Sequence, residues 1–248
     1  MERILGVIPA RYGSERFPGK VLADIGGKPM IQWVYEAAVK SKNLDRVLIA
    51  TDEQKVFNAV QKFGGECMMT SDRHKSGTDR LVEVASSLPD FEIYINIQGD
   101  EPGIEPELIG GVGALLINHP EWQAATAARP FYENEDPAAV DRVKVVMTKK
   151  GKALYFSRSL IPYPRKNTDQ KVYLHLGIYA YRREFLMGFQ DLSPSGLEDT
   201  ESLEQLRILE NDFDMGVFLA EKSSPGVDTP EDLKKMIEIF RTRGLLQS

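Results

Sequence analysis

The chain opens with the stretch ILGVIPARYGSERFPGK, residues 4–20. The run from Ile4 to Ile8 is apolar and ends before Pro9, which is typical of a buried β-strand. The loop after the first strand of an α/β sheet lies at the edge where such sheets bind ligands. We therefore expect residues 9–20 to border a ligand-binding crevice.

This loop combines cations with glycine and proline. Arg11, Arg16 and Lys20 can neutralise phosphate charge, while Gly13 and Gly19 allow backbone N–H groups to approach an anion closely. The prolines restrict the path of the backbone. The composition predicts a polyphosphate site, although a surface loop with solvated cations has the same composition.

Two known phosphate-binding motifs do not fit the loop. A P-loop has four residues between its glycines and Ser or Thr after its Lys, whereas five residues separate Gly13 from Gly19 and Val21 follows Lys20. A Gly-x-Gly-x-x-Gly dinucleotide fingerprint is also absent from the loop sequence. If the loop binds phosphate, it does so by another arrangement.

Composition and charge limit the class of protein. With 248 residues, 42% of them hydrophobic, we expect one large domain with a smaller sub-lobe. Cys67 is the single cysteine, which excludes a disulfide framework and fits a reducing compartment. The net charge of −6 argues against nonspecific nucleic-acid binding. The sequence shows no signal peptide and no bilayer-spanning apolar run, so we expect a cytosolic protein.

The hydrophobic patterns predict an α/β fold. Strand and helix patterns alternate over residues 4–63, which favours a parallel sheet with right-handed crossovers. Lys144 interrupts an apolar strand, and we expect its amino group to extend to solvent. The patterns predict helices at 28–41, 52–63, 105–118, 199–210 and 230–241, and strands at 46–50, 92–98, 124–128, 142–148, 172–181 and 215–221.

Two polar segments follow at predicted element boundaries. The first, TSDRHKSGTDR at residues 70–80, leads into a predicted helix. Ser76 or Thr78 is a suitable helix cap. Small polar residues and backbone amides at a helix start can also hydrogen-bond the edge of a pyrimidine base. The second, QGDEP at residues 98–102, follows a predicted strand. Gly99 allows a sharp turn that presents Asp100 over the crevice. Asp100 is a candidate Mg²⁺ ligand, with a solvated carboxylate as the alternative.

Residues 153–181 suggest a second lobe. They include Arg158, Arg165 and a predicted strand that places His175 and Tyr179 on one face. Arginine binds carboxylates, and His and Tyr bind hydroxyl groups, so these residues suit an acidic polyhydroxylated ligand. A structural histidine is the alternative.

Two further acidic positions come late in the chain. The predicted helix at 199–210 places Glu204 and Gln205 away from its leucine side. Asp228 precedes Thr229 and Pro230, which suit a helix cap and a first helical position. As a residue before a cap, Asp228 requires no functional explanation.

Six motifs together resemble those of the CMP-sugar synthetase family, most closely the 3-deoxy-manno-octulosonate (KDO) cytidylyltransferases. They are IPARxxSxRxPGK (8–20), HxSGTxR (74–80), QGDEP (98–102), YFSR (155–158), HLGIYxY (175–181) and LEQLR (203–207). The resemblance implies a Rossmann-like, mostly parallel sheet of the nucleotide-diphospho-sugar transferase type. It also implies a smaller lobe at 153–181 for substrate binding and dimerisation.

The resemblance further implies transfer of CMP from CTP to the anomeric hydroxyl of KDO. The products would be pyrophosphate and CMP-KDO, which a Gram-negative bacterium would use to make lipopolysaccharide. The enzyme would be a cytoplasmic, Mg²⁺-dependent homodimer. Arg11, Lys20, Asp100 and Asp228 would be catalytic, with Asp100 and Asp228 on the metal. The nucleotide would contact Pro9, Ala10, Arg11, Arg16, Lys20, Ser76, Gly77 and Arg80, and the sugar Gln98, Arg158, Arg165, His175, Tyr179, Glu204 and Gln205.

Several alternatives stay open at the level of sequence. A synthetase acting on a sialic acid or an amino-substituted KDO would share the first loop, and a nonenzymatic nucleotide-binding regulator could share the fold. Retention of Lys20, Asp100 and Asp228 argues against the regulator. We find no convincing general base, and we hypothesise that one or two metal ions activate the attacking hydroxyl instead.

Overall fold

The computed structural model describes residues 2–13, 17–74, 76–166 and 171–246. Its strands are β1 (Ile4–Ala10), β2 (Asp24–Ile25), β3 (Lys28–Pro29), β4 (Arg46–Thr51), β5 (Cys67–Met69), β6 (Ile93–Asn96), β7 (Ala124–Pro130), β8 (Lys144–Met147), β9 (Ala153–Ser157), β10 (Tyr173–Arg182) and β11 (Met215–Leu219). Its α-helices are α1 (Met30–Val39), α2 (Gln54–Lys62), α3 (Gly77–Ser87), α4 (Pro106–Asn118), α5 (Arg183–Met187), α6 (Gly196–Glu201), α7 (Gln205–Glu210) and α8 (Pro230–Thr242). Short 3₁₀ helices span Lys20–Leu22 and Phe189–Asp191.

A mixed sheet forms the centre of the molecule. Its main path runs β11-β7-β10-β6-β1-β4-β5, with β8 and β9 attached beside β10. Along this path β10 pairs antiparallel with both neighbours, and the other pairs are parallel. The predicted α/β fold with a mostly parallel sheet is confirmed.

The sheet is covered on both faces, which explains the unbroken apolar run of β1. Ile4 and Ile8 pack into one hydrophobic cluster with α1 and α4. Leu5 and Val7 point to the opposite cluster, which includes residues of α3. Alternate residues of β1 therefore enter separate cores, as expected for a central strand buried on both sides.

Three predicted features differ from the structure. The predicted helix at 199–210 consists of α6 and α7, because Ser202 takes a left-handed conformation (φ 52°) between them. The helix predicted at 28–41 begins only at Met30, because Lys28 and Pro29 form β3. The Lys144 side chain is fully buried, since its ammonium donates to the backbone carbonyls of Ala139, Arg142 and Arg158.

Both strands of the predicted sub-lobe at 153–181 extend the sheet. β9 pairs with β8, while β10 runs between β6 and β7. None of the helices in the described ranges combines the length and apolar character required to cross a membrane. The carboxyl ends of β1, β4 and β6 meet at one edge of the sheet, and the candidate site lies there.

Candidate active site

A cavity of about 290 Å³ lies at this edge. It is bordered by residues from three segments that the sequence singles out: the loop after β1, the start of α3 and the turn after β6. Its lining consists of Pro9, Arg11, Gly13, Lys20, Val21, Ser76, Gly77, Gln98, Gly99 and Asp100.

The loop after β1 turns back so that Lys20 faces the cavity. Gly19 makes this turn with φ 70°, a conformation that glycine adopts without steric cost, and its N–H donates to the carbonyl of Tyr12 at 2.9 Å. A Cβ atom at Gly19 would lie 3.0 Å from the Tyr12 ring. The turn therefore requires glycine on both conformational and steric grounds.

Lys20 lies between two carboxylates. Its Nζ is 2.5 Å from Asp100 Oδ2 and 2.9 Å from Asp228 Oδ1. Asp228 reaches this position because the N–H of Val227 donates to the carbonyl of Asp100 at 2.8 Å. Burial opposes the charge on Lys20, but the two carboxylates outweigh it and raise the pKa of the ammonium.

Asp100 and Asp228 fit the donor set of a Mg²⁺ site completed by substrate. Both already direct an oxygen at one cation, the Lys20 ammonium, and their side chains are 28% and 48% exposed. Within the described ranges, no group of three or more His, Cys, Asp or Glu residues could hold a metal without other ligands. Mg²⁺ is usually held by one or two carboxylates together with substrate phosphates and water, which two acids at a cavity mouth can supply.

Arg11 connects the first loop to the start of α3. Its Nη2 donates to the carbonyls of His74 and Ser76 at 2.6 and 2.8 Å. Ser76 caps the helix through a reciprocal pair of bonds with Asp79 and also lines the cavity with Gly77. The capping and binding interpretations of Ser76 are therefore compatible.

Arg80 lies behind the cavity rather than in its lining. Its side chain is fully buried, and its guanidinium donates to Thr70 Oγ1 and, at 3.0 Å, to Asp52 Oδ2. These bonds hold α3 against the segments that follow β4 and β5. Its predicted nucleotide contact stays a prediction, and Arg16 lies outside the described residues.

Gln98 and His175 mark the side of the site towards β10. Gln98 Nε2 donates to the carbonyl of Gly177 at 2.8 Å, which holds its amide at the cavity wall. His175 Nε2 lies 2.9 Å from Thr126 Oγ1, and its ring contacts that of Phe156 edge-on. Burial lowers the pKa of His175 to about 3, so the imidazole is neutral at physiological pH.

A polar network joins α3 to β10 and α7. Thr78 Oγ1 donates to Glu204 Oε1 at 2.5 Å, and Tyr179 Oη donates to Gln205 Oε1 at 3.3 Å. Burial raises the pKa of Glu204 despite the Thr78 bond. Four of the residues predicted to bind the sugar, Gln98, Tyr179, Glu204 and Gln205, thus converge beside the start of α3.

The two predicted sugar-binding arginines lie apart from this network. Arg158 donates through Nε to the carbonyl of Glu201 at 2.7 Å and through its backbone N–H to the Glu201 carboxylate at 2.9 Å. Arg165 is exposed in the connection after β9. Neither is among the described residues that line the cavity.

Glu101 is a half-buried acid that has no role in the sequence-based predictions. Burial and the neighbouring Asp100 charge raise its pKa to about 8. Thr78 and Asn96, which lies 3.1 Å from a Cβ built on Gly77, are further unassigned residues of the site. The only sequence signal for Glu101 and Thr78 is their place within the QGDEP and HxSGTxR motifs.

Comparison with known proteins identifies the family of this chain. The family model described as Cytidylyltransferase matches residues 5–222. A 3-deoxy-manno-octulosonate cytidylyltransferase of Leptospira interrogans is 52% identical over 98% of each chain, and a protein of that name from Fusobacterium nucleatum is 42% identical over 98% of this chain and 99% of its own. A solved structure of CMP:2-keto-3-deoxy-manno-octonic acid synthetase complexed with CTP superposes with a TM-score of 0.93, at 45% identity, over 97% of this chain and 99% of that one. By its sequence, its fold and the residues at its sheet edge, this chain belongs to the cytidylyltransferase family.

Proposed function

We propose that this protein transfers CMP from CTP to the anomeric hydroxyl of KDO and releases pyrophosphate. Relatives with this activity in their names are 42–52% identical over nearly the whole chain. The structural observation that carries the proposal is the position of Lys20 between Asp100 and Asp228, at the mouth of a cavity that Arg11 also lines. This arrangement supplies cations for a triphosphate and acids for a metal at one place.

The nucleotide occupies the cavity between the first loop and the start of α3. Lys20 and Arg11 neutralise the triphosphate, and Arg16 is assigned the same role by the family motif. The first turn of α3 offers backbone N–H groups and the Ser76 hydroxyl to the pyrimidine. The charge-assisted hydrogen bonds from Lys20 and Arg11 to the phosphates each contribute about 1.5–3 kcal/mol.

The reaction is a displacement at the α-phosphorus of CTP. The anomeric oxygen of the sugar forms a bond to that phosphorus, and the bond from phosphorus to the bridging oxygen of the β-phosphate breaks, so that pyrophosphate leaves. The proton of the sugar hydroxyl passes to solvent water. Enzymes catalyse such transfers largely by positioning the reactants and stabilising the developing charge. Lys20 and Arg11 stabilise the negative charge that grows on the pyrophosphate.

Asp100 and Asp228 would hold Mg²⁺. When bound, the ion would neutralise phosphate charge and acidify the attacking hydroxyl. A side-chain general base is not evident among the described sugar-binding residues. His175 is a weak base because burial lowers its pKa to about 3.

The sugar acid lies against β10 and α7. Gln98, Tyr179 and Gln205 offer amide and phenol groups to its hydroxyls. We assign Arg158 and Arg165 to its carboxylate, because arginine binds carboxylates. His175 and Glu204 are further sugar contacts in this proposal. We also assign the protein to the cytoplasm as a homodimer whose interface includes residues 153–181.

Pyrophosphate release from each of the four ribonucleoside triphosphates, with Mg²⁺ and with or without KDO, tests the proposal. We expect release only from CTP with KDO. Release from CTP with a different acidic sugar would overturn the sugar assignment while keeping the phosphate chemistry. CTP binding without release in any combination would favour a nucleotide-binding regulator.

A further inference from the structure

The side-chain amide of Asn96, the last residue of β6, is buried at the site but has no role in the proposed reaction. Asn96 is 4% exposed, and its Oδ1 has no hydrogen-bond partner in the described part of the chain. Gln205 is also 4% exposed, and its donor atom Nε2 likewise has no hydrogen-bond partner among the described residues. Buried polar atoms in native proteins nearly always have a partner, so an unpaired acceptor and an unpaired donor in one region indicate a missing polar group.

Sheet pairing places both residues around Tyr179. Asn96 lies directly opposite Tyr179 in the antiparallel pair of β6 and β10. Residues opposite each other in such a pair have side chains on the same face, with Cβ atoms roughly 4.5–5.5 Å apart. Gln205 contacts the same tyrosine, because Tyr179 Oη donates to Gln205 Oε1 at 3.3 Å. Both unpaired atoms therefore belong to neighbours of one side chain on the sugar side of the site.

Asn96 also lies against the start of α3, a segment that borders the nucleotide cavity. A Cβ atom on Gly77 would lie 3.1 Å from Asn96 Nδ2, so the amide lies directly against the backbone at the start of α3. Gly77 itself lines the cavity. Asn96 is thus located where the nucleotide and sugar halves of the site meet, which is where the reacting end of the sugar must lie.

We propose that one hydroxyl of the sugar acid donates a hydrogen bond to Asn96 Oδ1 and accepts one from Gln205 Nε2. A single hydroxyl has one donor hydrogen and two acceptor lone pairs, so it can satisfy both atoms at once. Asn96 is then a further sugar-binding residue of this enzyme. The inference rests on the proposed function, and an ordered water has the same hydrogen-bonding chemistry, so the test must distinguish the two.

The test combines Asn96→Ala with KDO analogues that each lack one hydroxyl, using steady-state pyrophosphate release. We expect Asn96→Ala to raise KM for KDO about tenfold and to leave KM for CTP within about twofold. One deoxy analogue should show the same rise with the wild-type protein and no further rise with Asn96→Ala. Asn58→Ala, which changes an exposed asparagine of α2, should leave both constants unchanged.

Three results would overturn the inference. Additive effects of Asn96→Ala with every deoxy analogue would assign the bridge to water, and a rise in KM for CTP instead of KDO would place Asn96 on the nucleotide side. An unchanged KM for KDO would leave Asn96 without a binding role. If Asn96→Ala does not fold, Gln205→Leu with the same analogues tests the same bridge. Absence of turnover by the wild-type protein with CTP and KDO would instead refute the proposed function.

Discussion

The ammonium nitrogen of Lys20 lies 2.5 Å from Asp100 Oδ2. Asp228 binds the same ammonium, so one cation is shared by two acids that we assign to Mg²⁺. Lys20 and a metal ion therefore require the same oxygens. A triphosphate offers Lys20 other anionic partners, so nucleotide binding would release both carboxylates. We expect nucleotide and metal to favour each other's binding for this reason.

Replacing Lys20 with Met should weaken catalysis and strengthen metal binding. Loss of a charge directed at the triphosphate is expected to lower kcat/KM for CTP by about 10²–10³-fold. Loss of the competing ammonium should raise the affinity for Mn²⁺ measured by electron paramagnetic resonance in the absence of nucleotide. Lys62→Met, at an exposed position of α2, serves as the control. Weaker Mn²⁺ binding by Lys20→Met would show that the lysine does not compete with the metal.

Asp228→Asn should lower both metal affinity and turnover, although Asp228 is the more exposed of the two acids. A neutral amide is a poorer Mg²⁺ ligand than a carboxylate. Mutating a residue that only orients a metal ligand lowers metal affinity or activity roughly 10–100-fold, and we expect Asp228→Asn to lower them at least as much. The measurement is the Mg²⁺ dependence of pyrophosphate release, with Asp100→Asn in parallel and exposed Asp90→Asn as control. Near-full activity of Asp100→Asn in Mg²⁺ would exclude the proposed metal role.

The sequence predicted the central strands and the capped helices best. β1 is a nearly continuous apolar run because it is buried on both faces, and β6 alternates Ile93 and Ile95 with Tyr94 and Asn96, so the local pattern alone identifies both strands. The start of α8 was equally clear, because Thr229 caps it and Pro230 occupies its first turn, as expected. In these elements, local preference and tertiary burial favour the same conformation.

The break at Ser202 was not predictable from the helical pattern. Leu203, Leu206 and Leu209 recur at helical spacing within the predicted helix, but Ser202 takes φ 52°. Arg158 donates to the carbonyls of Glu201 and Ser202, so contacts with the strand region around residue 158 accompany the break. The burial of Lys144 was also not predictable from the sequence pattern, because it depends on three carbonyls that come from outside its own strand.

In the site, the sequence identified the cavity residues but not their pairing. Lys20, Asp100 and Gly77 follow predicted strands or begin a helix, so topology brings them to one edge. The approach of Asp228 to Asp100 depends on a backbone hydrogen bond from Val227, which spacing does not reveal. The burial of Arg80 depends on Asp52, a residue of another loop.

Arg80→Met should reduce stability more than nucleotide affinity. Thr70 and Asp52, whose side chain is 21% exposed, would lose the hydrogen bonds of a fully buried guanidinium, and a hydrogen bond to a charged group contributes about 1.5–3 kcal/mol. Urea unfolding measures this change in the free energy of unfolding, with exposed Arg73→Met as control. Unchanged stability together with lost CTP binding would place Arg80 in the nucleotide site instead.

The stability of the protein should fall in acid partly because of His175. Burial lowers the pKa of its imidazole from 6.5 to about 3. Between these two values the unfolded chain binds a proton that the folded protein does not, so stability falls as pH decreases from about 6.5 towards 3. This group contributes a slope of up to about 1.4 kcal/mol per pH unit.

Other groups titrate in the same range, so the informative quantity is the difference between the wild-type protein and His175→Gln. Glutamine can still hydrogen-bond Thr126 but does not ionise, and the free energy of unfolding should therefore depend less on pH between 3 and 6.5. Urea unfolding at a series of pH values measures this difference. If His175→Gln lost stability in acid as steeply as the wild-type protein, the imidazole would be accessible to protons in the folded state.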